Sequence, residues 1–206
     1  MVSKLDPRKI FAIPKVYDSY QKFVGAQQDR VNFLKETVAP LVKSRVLDVG
    51  CGTGVNCEVF PKNVAYVGCD LSQKYIEHAK QHYGHRAEFY AAPVGELQKL
   101  HLEPFDVVIV MAVLHHLSDD QVMKLCDEVS DLLVPGGLMI TADPCFTRDQ
   151  PRFSNFLTSF DRGQFVRFPH QYSSLLERKF SKVDVKMHPG KLLVFPHAGV
   201  IMFASK

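Results

Sequence analysis

The chain is predicted to fold as a doubly wound α/β sheet, with seven strands, mostly parallel, an antiparallel C-terminal strand and an N-terminal helical cap. Three observations carry this expectation. Short apolar strands alternate with amphipathic helices through the middle of the sequence. The run Phe105–Met111 is almost wholly apolar, which marks a strand buried on both faces at the centre of a parallel sheet. The first strand, Arg45–Val49, runs into Gly50-Cys51-Gly52-Thr53-Gly54, a turn whose glycines accept backbone angles and close approaches that side chains forbid.

From Lys15 to Val42 the apolar residues Phe23, Val24, Val31, Phe33, Leu34, Val38 and Leu41 fall at helical spacing. Gly25 is expected to split this stretch and Pro40 to end it. After the first strand, a helix is expected near 55–60, a second strand over 63–69 and a helix from Ser72 to Tyr83 with Tyr75, Ile76 and Ala79 on one face. A short strand over 87–91 and a short helix over 95–100 precede the apolar central strand. Ser118 with Gln121 three residues later reads as a capping box. The helix behind it presents Val122, Leu125, Cys126, Val129, Leu132 and Leu133 on one face. Pro135-Gly136-Gly137 is expected to turn the chain into a fifth strand over 138–142.

Beyond Asp143-Pro144 the rhythm changes, and residues up to Pro169 are rich in Phe and Arg without strand-like alternation. An inserted helical or loop segment over the ligand face is expected there. A helix over 171–180 and two strands over 183–187 and 199–204, turning near Pro189-Gly190, complete the chain as an antiparallel edge pair. The organisation is therefore a single domain over 1–206: a cap (1–44), a ligand-binding core (45–143), an insert (145–170) and a C-terminal helix with edge strands (171–206).

With 206 residues, 46% hydrophobic and 23% charged, the composition is that of an ordinary globular domain. The net charge of +3 is spread thinly, with no Lys/Arg run, so a nucleic-acid footprint is not expected. No apolar stretch is long enough to span a bilayer, and no membrane partner is expected. Residues 1–7 lack the apolar core of a signal peptide. The five cysteines form no C-x-x-C pair, which fits reduced thiols and a cytoplasmic location.

The glycine turn and the acid closing the second strand, Gly68-Cys69-Asp70, point to a nucleoside-bearing ligand, the acid accepting from a ribose diol. A dinucleotide site favours G-x-G-x-x-G, but Val55 occupies the third glycine position and Gly54 comes one residue early. A phosphate-cradling G-x-x-x-x-G-K-[ST] is absent.

At this point the chain resembles the class I S-adenosylmethionine-dependent methyltransferases. The resemblance rests on four motifs in order: Val46-Leu47-Asp48-Val49-Gly50-Cys51-Gly52-Thr53-Gly54, Gly68-Cys69-Asp70-Leu71-Ser72, Phe105–Ile109 with Val113-Leu114-His115-His116-Leu117, and Leu133–Leu138. It implies a Rossmann-like sheet and S-adenosyl-L-methionine as cofactor. It further implies that Gly50, Cys51, Gly52 and Gly54 line the methionine part, where backbone amides meet its carboxylate. Asp70 would hold the ribose hydroxyls, Leu71 and Ala92 would lie at the adenine, and Met111 would offer a carbonyl beside the sulfonium. Asp48 would order the turn or meet the ammonium through water, and Tyr20 would contact the cofactor from the cap. Many relatives carry an Asp after the third strand, where this chain has Ala91-Ala92.

Methyl transfer needs alignment and exclusion of water, and a general base only for an alcohol, phenol or protonated amine. His116 and His115 follow the fourth strand at the ligand face and are the candidate bases; the alternative is that the pair packs the loop and caps the next helix. Asp143, at the end of the fifth strand, is a candidate acceptor ligand or a turn residue. Arg162 and Arg167 are candidate partners of an anionic acceptor, or surface arginines of a lid. His78, His82 and His85 lie at helical spacing, but no ligand set accompanies them and no metal is expected. The expected function is methyl transfer to a small-molecule acceptor, with oxygen favoured. The alternatives are a protein or RNA acceptor, or a cofactor-binding regulatory subunit without turnover. The sequence leaves the oligomeric state open.

Overall fold

In the computed structural model the described residues are 26–147, 165–191 and 196–206. Helix α1 (Ala26–Phe33) loosens into a π turn (Leu34–Val38) and then a 3-10 turn (Ala39–Leu41) carrying Pro40. Pro40 has no N–H to continue the α ladder, so the helix ends there. Strand β1 (Arg45–Val49) leads through the glycine turn to a 3-10 helix (Val55–Val59) and β2 (Ala65–Cys69). Helix α2 (Gln73–Tyr83) is capped by the Ser72 hydroxyl, which accepts from the Tyr75 amide at 3.4 Å. Then come β3 (Glu88–Tyr90), the short α3 (Val94–Leu97) and β4 (Phe105–Met111). The Ser118–Gln121 capping box opens α4 (Asp119–Leu132), with both of its hydrogen bonds formed. Strand β5 (Leu133–Pro144), α5 (Pro169–Leu176), β6 (Lys182–Lys191) and β7 (Pro196–Ser205) complete the fold.

The seven strands lie in the order β3-β2-β1-β4-β5-β7-β6, parallel except that β7 is antiparallel to both β5 and β6. This is the sheet expected from the sequence, with two local differences. Pro135-Gly136-Gly137 does not precede β5 but bulges inside it: the pairing with β4 jumps from Phe105↔Leu133 to Val107↔Leu138, and Gly136 takes φ +73°. Pro189 and Gly190 do not form the hairpin turn, because they pair with Ala198 and His197 and the strands run on to Lys191 and Pro196.

Strand alternation sends the sheet's side chains to two cores. Leu47, Val49, Val108 and Val110 pack under α4 and α5 with Val122, Val129, Tyr172 and Leu176. Val46, Tyr66, Val107 and Ile109 pack on the opposite face with Phe60, Ile76, Phe89 and, from the N-terminal turn, Leu34 and Val38. Asp48 shares this second face two residues beyond Val46, so a carboxyl group is carried into an apolar layer directly below the glycine turn.

Candidate active site

The carboxyl ends of β1, β2, β3 and β4 bring together the residues singled out in the sequence. The turn after β1 has three left-handed glycines, at φ +73° for Gly50, +54° for Gly52 and +81° for Gly54. Their surroundings differ. A Cβ on Gly50 would lie 2.6 Å from a Val113 methyl, and one on Gly54 would lie 2.8 Å from both Ala79 and Phe89. A Cβ on Gly52 would meet nothing within 4 Å. Gly50 and Gly54 are therefore glycines because the protein is tight there, while Gly52 opens onto the cleft.

The turn's amides are spent within the protein. Gly50 and Cys51 donate to the Cys69 carbonyl at 2.8 and 3.0 Å, Gly54 donates to the Cys51 carbonyl at 3.0 Å, and Gly52 donates to Asp70 Oδ2 at 3.0 Å. Cys51 itself is a packing residue, buried with its Sγ under the turn, and burial pushes its thiol up.

A cation that sequence reasoning missed lies nearby. The charge of Arg30, on α1, reaches Asp48, and the Arg30 Nε is buried without a partner. Asp48 is fully buried; its Oδ2 accepts from the Tyr66 hydroxyl and from Asn56 Nδ2 (2.9 Å), while Oδ1 has no partner. Burial pushes its carboxyl up to about 6, against the two hydrogen bonds and Arg30. Arg30 carries no motif, only a position one helix before β1; Asp48 on β1, with Tyr66 two positions from its register partner Gly68 on β2, was the available hint.

Asp70 is half-buried, with Oδ1 accepting from the Ser72 amide at 2.8 Å and Oδ2 from Gly52. Next to it Leu71, a large apolar side chain, is 79% exposed. Met111 ends β4 half-buried, and Ala112 after it is held at φ +56° by a 2.7 Å bond from its amide to the Ala142 carbonyl. Ala92 lies half-buried just after β3. A cleft opening at Gly52, an acid beside it, an uncovered leucine and orphaned polar atoms of opposite charge, Arg30 Nε and Asp48 Oδ1, fit a nucleoside bearing an amino-acid tail.

The acceptor-side candidates separate sharply. His115 is buried, its backbone N–H and its Nδ1 both bonded to Asp143 Oδ1 at 3.1 and 2.8 Å. His116 is exposed, its ring 4.0 Å from that of His115. Burial removes His115 from the acceptor, and Asp143, also buried, is His115's partner rather than a ligand for the acceptor. Arg167 is likewise corrected: its guanidinium donates to Asp119 Oδ1 (2.7 and 2.9 Å) and to the carbonyls of Leu114, Phe165 and Leu117 (3.1, 2.9 and 2.7 Å). All five of its N–H donors are used, so none remains for an anionic acceptor. Tyr20 and Arg162 lie outside the described residues. Among the described residues no cluster of His, Cys, Asp and Glu could hold a metal, and no helix is long and apolar enough to cross a membrane.

Residues 46–137 match a family described as "Methyltransferase domain". The chain is 33% identical over 156 residues to the ubiquinone biosynthesis O-methyltransferase of Brucella ovis, covering 72% of this chain and 62% of the relative. It is 36% identical over 158 residues to the protein of the same name from Bordetella bronchiseptica, with the same coverage. The chain thus spans 62% of the length of these curated relatives. Its fold is shared with a SAM dependent methyltransferase from Archaeoglobus fulgidus, at TM-score 0.72 and 16% identity, over 93% of this chain and 99% of the other. Over residues 46–137, then, the chain is similar to a methyltransferase domain, and it shares the fold of a solved SAM dependent methyltransferase.

Proposed function

We propose that this chain transfers the methyl group of S-adenosylmethionine to a small-molecule acceptor, at oxygen. The observation that carries the reading is the convergence of Gly52, Asp70, Leu71 and Met111 at the carboxyl ends of three adjacent strands, with open space at Gly52. The names of the similar curated proteins support oxygen as the receiving atom.

The sulfonium supplies an activated methyl group; the chain's work is to align the partners and exclude water. Asp70 is assigned to the ribose hydroxyls, its carboxylate already oriented by Gly52 and Ser72. Leu71 and Ala92 flank the adenine by apolar contact, which stands in for the missing acid after β3. Arg30 is assigned to the carboxylate, and Asp48, buried beneath the turn, orders it and meets the ammonium through water. The Met111 carbonyl lies beside the transferring end. His116, exposed on the turn after β4, takes the acceptor's proton. The proposal carries no anionic acceptor, since the guanidinium that motivated one is spent. The five buried, unpaired thiols support a reducing, cytoplasmic setting.

Incubation with methyl-labelled S-adenosylmethionine and separate phenol, protein and RNA fractions tests the reading. Label entering the phenols is expected. Label entering only protein or RNA would overturn the acceptor class, and binding of the cofactor without transfer to any fraction would make the chain a binding module.

A further inference from the structure

We infer that Asp143 and His115 form a buried positioning pair that sets the orientation and basicity of His116; this rests on the methyltransferase reading above. Asp143 closes β5 and His115 follows β4, and the two are 4% and 2% exposed. One carboxylate oxygen, Oδ1, holds both the backbone N–H (3.1 Å) and the Nδ1 (2.8 Å) of His115. An ionised carboxylate only accepts, so the imidazole hydrogen sits on Nδ1 and the ring cannot rotate. Neither group is accessible to an acceptor. Their product is a fixed aromatic platform, against which the exposed His116 ring lies at 4.0 Å and 41°.

The rest of the turn is pinned around this platform. Phe165 donates its amide to the His115 carbonyl at 2.9 Å, and Arg167 holds the carbonyls of Leu114 and Leu117 on either side of the two histidines. Arg167 is neutralised by Asp119 at 2.7 Å. Tyr172 and Cys145, packed beside Asp143, stay uncharged because burial pushes the hydroxyl up and the thiol to about 11. Asp143 Oδ2 is buried without a partner. The negative charge of this carboxylate favours any positive charge developing on His116, which is what a base needs as it takes a proton.

The test is an NMR titration of the His116 imidazole in the full chain, wild type against Asp143→Asn, alongside turnover and S-adenosylhomocysteine affinity. The His116 midpoint is expected to fall by about half a unit or more in Asp143→Asn. The kcat should fall about tenfold or more with cofactor affinity retained. An unmoved midpoint in a folded variant overturns the inference, since a merely structural contact would not move it. Where Asp143→Asn does not fold, His115→Asn decides: its side-chain amide replaces Nδ1 as donor to Asp143 and removes only the platform. Unchanged kcat in that variant overturns the inference, and loss of kcat with cofactor affinity intact supports it. If the wild type transfers no methyl group, the function reading falls while the titration still decides the pair.

Discussion

Asp70 Oδ2 accepts the amide hydrogen of Gly52 at 3.0 Å, tying the end of β2 to the middle of the turn after β1. The same carboxylate takes the Ser72 amide at 2.8 Å with its other oxygen, so the acid, the turn and the start of α2 form one unit. A ribose diol meeting this carboxylate finds it already oriented, and little ordering remains for binding to impose.

The three glycines of the turn separate under substitution. Gly54→Ala places a methyl 2.8 Å from Ala79 and Phe89 at φ +81°. Its thermal unfolding midpoint should fall by more than about 5 °C, from left-handed strain of roughly 1–2 kcal/mol plus overpacking. Gly52→Ala carries only the strain, at φ +54° with open space around it. It should unfold within about 2–4 °C of wild type yet lose most of its affinity for S-adenosylhomocysteine. Calorimetric unfolding and binding on the two variants check this, and equal binding losses at equal stability would contradict it.

Asp48 predicts a pH dependence of definite sign. Its carboxyl is raised from 3.8 to about 6 by burial, so the folded chain holds this proton more tightly than the unfolded chain. Its contribution to stability is therefore fully present below pH 3.8 and is lost as pH rises to about 6. The ionised form then costs the fold roughly 3 kcal/mol. Asp48→Asn removes the charge and keeps an oxygen for Tyr66. The unfolding midpoint of the variant minus that of wild type should be near zero at about pH 4 and positive by several degrees at about pH 7.5. A difference that stays flat across that range would contradict the burial account.

Arg167 is a clamp, and its loss should read as stability. Arg167→Ala strips donors from three carbonyls and from Asp119. A destabilisation of about 2–4 kcal/mol is expected. Arg167→Lys should recover only a small part of it, because an ammonium cannot reproduce the planar fork. Urea unfolding of both variants measures this; a lysine variant as stable as wild type would show that charge alone suffices.

Much of the sheet was legible in the sequence because its signals are local. The apolar run Phe105–Met111, the Ser118–Gln121 box and the glycine turn each announce themselves within a few residues. The bulge at Pro135–Gly137 and the unbroken pairing through Pro189-Gly190 were not legible, because register is set by a partner strand distant in sequence. The site divides in the same way. Gly52 and Asp70 sit where motif spacing put them, whereas Arg167 and Asp143 looked like acceptor ligands until partners 48 and 28 residues away were found to hold them. Arg30 went unnoticed because only burial beside Asp48 distinguishes it from a surface arginine.

The most direct measurement is calorimetric titration of the full chain with S-adenosylhomocysteine, wild type against Asp70→Ala. The account predicts one site per chain in wild type and at least about a tenfold loss in the variant, as a carboxylate holding two hydroxyls is worth a few kcal/mol. Wild-type protein that is folded yet binds no S-adenosylhomocysteine, or a variant that binds it equally well, would contradict the assignment of this cleft.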